Sequence, residues 1–345
     1  MAEIAPINNN DRTPLYEKVP LTMPYAVYVF PTTFCNFKCV YCAHALGHDK
    51  MREFYNFEPQ SMNMETYSII VKQMKEFPRP VKLLSLTGQG EPLINSAIPD
   101  MVRMAKEKGV ADRIEIITNG VLLTKQMADR LIDAGLDGLR VSLQGMSAAK
   151  YKEICGAEVD YDLFLSQLRY YYENKGKNDL FVKIMDVALD EGDEEQFYHI
   201  FNTIADRMYV EHCRPVYDGV AFTADMEGQD LDRYGNTHKH RVVCPLCFFQ
   251  LGIFPNGDVK PDCTIYEPII LGNVQKDTLN NMWTGRLLKE FWLMQLHGHR
   301  SRNPKCAVCV APDDVSHPLD ELDSTAEEII KRIGEGTYGI VRNSK

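Results

Sequence analysis

The chain has 345 residues, 45% hydrophobic and 25% charged, enough for two domains and a core that needs no disulfide support. Its formal net charge of −10 argues against a broad nucleic-acid surface, and no apolar run reaches membrane-spanning length. The N-terminal stretch is polar and has no signal-like apolar core, so the expected location is the cytoplasm, where ten cysteines point to metal ligation or catalysis.

Residues 1–20 read as an arm, with Asn8-Asn9-Asn10 and scattered prolines. Residues 25–30 are apolar, aromatic and β-branched and end at Pro31, the pattern of a buried strand. Asn63 is placed to cap a helix whose apolar positions Tyr67, Ile70, Val71, Met74 and Phe77 follow helical spacing. A second strand is expected over 82–87. A helix over 97–108 follows, stopped by Gly109. A third strand is expected over 114–118, then a helix capped by Thr124 and ending at Gly135, then a fourth strand over 138–143. Phe164, Leu168, Tyr171 and Tyr172 make a helical face, residues 180–189 a fifth strand and 193–206 a helix, with strand-like residues near Tyr209 and Val220. Repeated β-then-α implies parallel strands with helices outside. In a barrel of this kind function sits where the strands end. Residues 35–42, Gly88-Gln89-Gly90-Glu91, Asn119-Gly120 and Gln144-Gly145 all fall there.

From about residue 226 turns become denser and cysteines cluster, as in a small metal-stapled domain reaching to about 315. Residues 279–296 regain helical periodicity. In the tail, 316–345, a capping box from Ser324 to Glu327 precedes Ile329, Ile330, Ile333 and Gly334, which predicts one short amphipathic helix.

The first cysteine group is Cys35, Cys39 and Cys42, a C-x3-C-x2-C spacing on a loop directly after the first strand. Thiolates favour iron–sulfur clusters and zinc. Three ligands on a four-iron cluster leave one iron open to an outside molecule. A zinc site would need a fourth ligand, for which His44 or His48 is at hand. With Tyr41 before the last cysteine, the segment resembles the signature of the radical S-adenosylmethionine (SAM) superfamily, and the resemblance extends to about residue 225. It implies an α/β fold with a partial (β/α)6 TIM-like barrel over 21–225. It also implies a [4Fe–4S] cluster that binds SAM through its open iron and cleaves it to a 5′-deoxyadenosyl radical.

The same resemblance implies roles for other positions. Gly88-Gln89-Gly90-Glu91-Pro92 is similar to the family's Gly-Gly-Glu turn, with Gln89 replacing one glycine. Gly90 and Glu91 would then face the SAM amine. Thr118 and Asn119 resemble the family's Thr-Asn-Gly segment near SAM, Ser142 the serine that bonds its ribose, and Gln144 stands where many relatives have Asp. Taken as isolated residues, these read as ordinary turn and strand-end positions. One departure stands out: the arginine after strand four that relatives use for the SAM carboxylate is absent from 151–156. Lys183 on strand five is the replacement candidate.

In the second group, Cys244 and Cys247, then Cys263, then Cys306 and Cys309 surround a predicted hairpin turn at Asn256-Gly257. Residue chemistry alone leaves zinc ribbon and iron–sulfur cluster both open. The order of hairpin, Leu271-Gly272-Asn273-Val274, Met282-Trp283 and final C-x2-C resembles the auxiliary-cluster domain called SPASM, or twitch when shortened. Five cysteines suit the twitch-like form over 226–315. One auxiliary [4Fe–4S] cluster would then be ligated by Cys263, Cys306, Cys309 and one of Cys244 and Cys247.

Relatives with this layout include sugar and cyclitol dehydrogenases, sugar epimerases and peptide-modifying enzymes. The first barrel strand begins near residue 25, which leaves no room for an N-terminal peptide-recognition domain. The expected substrate is therefore a small polar molecule such as a sugar, cyclitol or nucleoside, dehydrogenated or epimerised, with a flavodoxin- or ferredoxin-like electron donor and no nucleic-acid or membrane partner. Modification of a ribosomally made peptide is the alternative. A non-catalytic zinc or electron-carrier protein is the rival from another class. Epimerisation needs a hydrogen donor, for which Cys213, Cys155 or the spare of Cys244 and Cys247 are the candidates.

Overall fold

The computed structural model describes residues 1–6, 12–226, 231–237 and 239–336. Asn8, Asn9 and Asn10 and the tail beyond 336 lie outside the described residues. The parallel strands are β1 (Glu3–Ile4), β2 (Ala26–Val29), β3 (Val81–Leu86), β4 (Ala111–Thr118), β5 (Gly138–Leu143), β6 (Asp179–Met185), β7 (Arg207–Glu211) and β8 (Gln250–Ile253). The antiparallel strands β9 (Asp258–Lys260) and β10 (Gly272–Asn273) follow β8. One sheet holds them all in the order β1-β7-β6-β5-β4-β3-β2-β8-β9-β10. Strands β2 to β7 thus form an open, partial barrel, as expected.

Alternation along each strand sorts the side chains into two environments. Val27, Val29, Leu84, Leu86, Ile114, Ile116, Leu139, Val141 and Val182 are buried in the core under the outer helices. Their neighbours Tyr28, Ser85, Glu115, Arg140 and Lys183 point to the other face, the barrel interior. Cross-strand register puts Gly252, Tyr28, Ser85 and Glu115 in one row of that face.

The covering helices include α2 (Met64–Met74), α3 (Ile98–Lys108), α4 (Lys125–Asp133), α6 (Tyr161–Asn174) and α7 (Asp193–Phe201). Asn63 and Thr124 cap as expected, accepting from the amides of Thr66 and Met127. Gly109 ends α3 in the left-handed conformation, where a side chain would be strained. Two helices have no counterpart in the sequence reading: α1 (Gly47–Tyr55), behind the first cysteine loop, and α5 (Ala148–Cys155).

Several expectations change. The arm is not free: β1 pairs in parallel with β7, and Leu15 and Val19 are buried in the core. Arg332 from the last helix, α12 (Ala326–Gly334), donates to the carbonyl of Val19 at 2.9 Å. Residues near Val220 turn into a 3-10 helix, Ala221–Met226, rather than a strand. Strand β6 stops at Met185 and α7 at Phe201, both shorter than expected. The helical run 279–296 is two helices, α8 (Leu279–Thr284) and α9 (Arg286–Leu296), joined at Gly285. The capping box at Ser324 does not form, because Ser324 bonds Glu321 instead and a 3-10 turn leads into α12. The largest change concerns the second domain. Its hairpin does not stand apart, because β8 runs in register beside β2 and continues the barrel sheet.

Candidate active site

The first cysteine loop leaves β2 and folds over the C-terminal end of the barrel. Cys35, Cys39 and Cys42 line a single cavity of about 210 Å³. Tyr41, Gly90, Glu91, Thr118, Asn119, Ser142, Gln144 and Lys183 line the same cavity. The sequence reading therefore assembled one site from five separate chain segments. Glu211 of β7 also lines it, and was missed. Its signal was present: it ends a strand of the alternating pattern.

Burial pushes the Cys35 thiol up to about 12, and raises Cys39 and Cys42 as well. Such thiols ionise when a metal takes the proton's place. His44 is not a fourth ligand: its Nε2 donates to the carbonyl of Gln89 at 2.6 Å. His48 is exposed. Among the described residues no group of three or more His, Cys, Asp or Glu is arranged around a single ion. A cubane asks for something else, one cysteine per iron around an open space, and the three cysteines line one such space.

The surrounding residues mostly hold the loops. Gln144 Oε1 accepts from the Tyr41 hydroxyl and from Cys39 Sγ at 3.5 Å, tying the cysteine loop to the end of β5. Asn119 Nδ2 donates to Asn36 at 2.8 Å, a second tie from the end of β4. Glu91 is buried, and its carboxylate accepts from Thr118 Oγ1 at 2.5 Å, the Asn119 amide at 2.7 Å and the Leu93 amide at 3.0 Å. Glu91 and Thr118 thus lock the turn after β3 to the end of β4, instead of standing free for an amine. Gly90 is required by space: a Cβ there would collide with the carbonyls of Phe34 and Thr32. Gln89, the departure from the glycine pattern, reaches the carbonyl of Cys263 at 3.3 Å and so joins this turn to the second cysteine region.

Two groups remain turned to the cavity. The Ser142 hydroxyl has no protein partner among the described residues. Beside it in register, Lys183 is half-buried with its ammonium 2.6 Å from Glu211. Burial pulls Lys183 below the usual lysine range. Burial would raise Glu211, but Lys183 and Arg233 outweigh it and hold that carboxyl low. Glu211 thus already partners the Lys183 ammonium, which is not the unpaired cation expected for a SAM carboxylate.

The two lone thiols do not reach the cavity. Cys155 closes α5 in the core, with its Sγ 2.8 Å from the carbonyl of Tyr151. Cys213 is buried beyond β7, its amide bonded to Asp186. Neither is placed to donate hydrogen to a molecule in the cavity.

The second cysteine region forms its own small cavity, lined by Cys244, Cys247, Cys306 and Cys309 together with Asp262, Arg300 and Lys305. Cys263 does not line it, a departure from the expected set. Its Sγ instead accepts from Gln250 Nε2 at 3.6 Å.

A family model described as the radical SAM superfamily matches residues 29–204, half of the chain. The chain belongs to this superfamily. A second model, an iron-sulfur cluster-binding domain named SPASM, matches residues 244–310. As a radical SAM enzyme the chain takes a [4Fe–4S] cluster, SAM and an auxiliary cluster as cofactors, and thiols suited to hold iron line both cavities. Among curated relatives, GTP 3',8-cyclase of Chlorobaculum tepidum is 33% identical over 41% of this chain and 38% of its own length. The probable GTP 3',8-cyclase of Methanocaldococcus jannaschii is 36% identical over 36% of this chain and 37% of its own. The match thus spans under two fifths of either relative. Among solved structures, BtrN in complex with AdoMet and 2-DOIA has a TM-score of 0.55 at 18% identity, covering 83% of this chain and 93% of that one. Streptococcus suis SuiB bound to S-adenosylmethionine has a TM-score of 0.58 at 16% identity, covering 87% and 78%. These structural likenesses bear on the fold. No helix among the described residues is long and apolar enough to cross a membrane.

Proposed function

We propose that this radical SAM enzyme cleaves SAM reductively at the Cys35, Cys39 and Cys42 cluster and uses the resulting 5′-deoxyadenosyl radical to abstract a hydrogen atom from a small polar substrate. A sugar, cyclitol or nucleoside fits best, with dehydrogenation or epimerisation as the outcome. One electron per turnover would come from a flavodoxin- or ferredoxin-like donor. The carrying observation is the polar floor of the cavity: the unpartnered Ser142 hydroxyl beside the Lys183–Glu211 pair, a surface that exchanges hydrogen bonds with hydroxyl groups.

The relatives' name supplies a second reading, a guanosine triphosphate substrate. The charges weigh against it. Among the described lining residues Lys183 is the one cation, and it is already paired with Glu211. A triphosphate needs cations in excess. The test is substrate-dependent 5′-deoxyadenosine formation by the anaerobic enzyme over a panel of sugars, cyclitols, nucleosides, GTP and peptides. Stimulation by a neutral hydroxylated compound supports the proposal. Stimulation by GTP or a peptide alone refutes it. For the outcome, neither Cys155 nor Cys213 lines the cavity, which weighs against them as hydrogen donors.

A further inference from the structure

We propose that the cavity behind the turn Gly88-Gln89-Gly90 is a second binding site, separate from the one that carries the proposed reaction, for a primary ammonium group borne on a small ring or short apolar body. Gly88 and Gly90 line the first cavity, whereas Gln89 between them lines this one, so the turn is a wall the two cavities share. The second cavity measures about 180 Å³, close to the first at about 210 Å³. A cavity of about 150 Å³ takes a benzene ring, so a ring-sized group fits here. Its inner surface is aromatic and buried: Tyr55 and Phe57 at the end of α1, and Phe254 directly after β8. Two of these rings are fixed by their neighbours. Tyr55 donates to the Asp218 carbonyl at 2.7 Å and meets Tyr266 edge to face, and Phe254 meets Phe30 in the same way. The rim is exposed at Asn56, Glu58 and Ile270, which leaves a way in from solvent.

The polar part of the lining selects for positive charge. Among the described lining residues none is Lys, Arg or His. Of the acids, Glu58 pairs with Arg52 at 2.8 Å, and Asp258 accepts from Asn256 Nδ2 at 2.7 Å and from Asn273 Nδ2 at 2.8 Å. Glu267 differs. It is partly buried, its carboxylate accepts from Asn56 Nδ2 at 3.2 Å, and it forms no ion pair among the described residues. Lys260 and Lys305, whose charges reach it, are committed elsewhere. Lys260 donates to the carbonyls of Thr264 and Tyr266, and Lys305 of α10 (Pro304–Val308) donates to the Phe54 carbonyl at 2.6 Å. Burial raises the Glu267 carboxyl above its ordinary value, the penalty of taking a carboxylate out of water without a cation beside it. An ammonium group in the cavity relieves that penalty by donating to Glu267. The faces of the three aromatic rings attract the same charge and cover the apolar body that carries it.

Isothermal titration calorimetry tests this on the full-length, iron-loaded protein, kept anaerobic and saturated with SAM so that the first cavity is filled. The probes are benzylamine, a cation at neutral pH, and benzyl alcohol, its neutral counterpart. We expect benzylamine to saturate one site per chain and benzyl alcohol to bind at least about tenfold more weakly, the size of a hydrogen bond to a charged group. Glu267→Gln should lose about tenfold in benzylamine affinity while its iron content and thermal transition match those of the parent. No saturable binding of benzylamine, equal binding of the two probes, or parent-like affinity in folded Glu267→Gln overturns the proposal. If Glu267→Gln does not fold, Gln60→Lys decides, because it adds a competing ammonium to the lining. Loss of benzylamine binding in that variant supports the site, and parent-like affinity refutes it.

Discussion

At the residue scale the site depends on close approach as much as on ligands. The turn after β3 comes so near the cysteine loop that the Glu91 amide bonds the Phe34 carbonyl at 2.8 Å, and only glycine fits at 90. Gly90→Ala must push the two loops apart, an overpacking strain of about 1–3 kcal/mol. We expect SAM binding weakened by about fivefold or more, since 1.4 kcal/mol within that range is already tenfold. Iron content and far-ultraviolet circular dichroism should stay near those of the parent. Equilibrium dialysis with labelled SAM checks it, and unchanged affinity would show that the contact does not position the site. Residue chemistry of this kind was only partly legible in the sequence. The three cysteines, Tyr41 and the strand-end residues were found because their spacing marks them. What they do was less legible. Glu91, Thr118, Asn119 and Gln144 spend their polar atoms on one another and on the cysteine loop, and no spacing rule reports how a hydrogen bond is shared.

At the element scale, period and caps located the strands and helices well wherever the period was long enough to count. Asn63, Thr124 and Gly109 mark true helix ends. Short elements escaped, because one or two turns carry little periodicity: α1, α5 and β1 are examples. The C-terminal turns show how such pieces are held. His317 caps the 3-10 helix Pro318–Asp320, its Nδ1 accepting from the Leu319 amide at 3.1 Å while Asp320 accepts from the His317 amide. Asp320 also binds Arg12 at 2.5 Å, so this turn joins the two ends of the chain. An accepting nitrogen must be unprotonated. Burial, and next the charge of Arg12, hold His317 below the usual histidine range. The unfolded chain therefore takes up the proton first as pH falls. Stability is complete above the unfolded value of about 6.5 and declines as pH drops from there through the lower folded value. We expect the melting temperature to fall between pH 7.5 and 5.5, and His317→Asn, which keeps a capping oxygen, to show a smaller fall. Equal pH slopes in the two proteins would contradict this.

At the scale of the whole molecule, the sequence pointed to two bodies and the sheet shows a continuous one. What the change of texture near residue 226 could not reveal is strand pairing between residues more than 200 positions apart. Placing β8 beside β2 puts Gln250 and Gly252 on the face shared with Tyr28, and Gln250 Nε2 meets the Cys263 thiol at 3.6 Å. The second cysteine region is thereby part of the chamber wall, and Gln89 links it directly to the turn beside the first cysteine loop. Trp283, buried, donates to the carbonyl of Leu21 at 3.0 Å and fastens the same region to the segment before β2.

The most direct measurement is the yield of 5′-deoxyadenosine when the anaerobic, iron-loaded protein meets SAM and a low-potential reductant, read by chromatography and mass spectrometry. The parent should form it together with methionine, and C35A/C39A/C42A should form none while keeping its auxiliary irons. A fully loaded parent that leaves SAM intact, or cleavage that survives loss of the three thiols, would contradict the account.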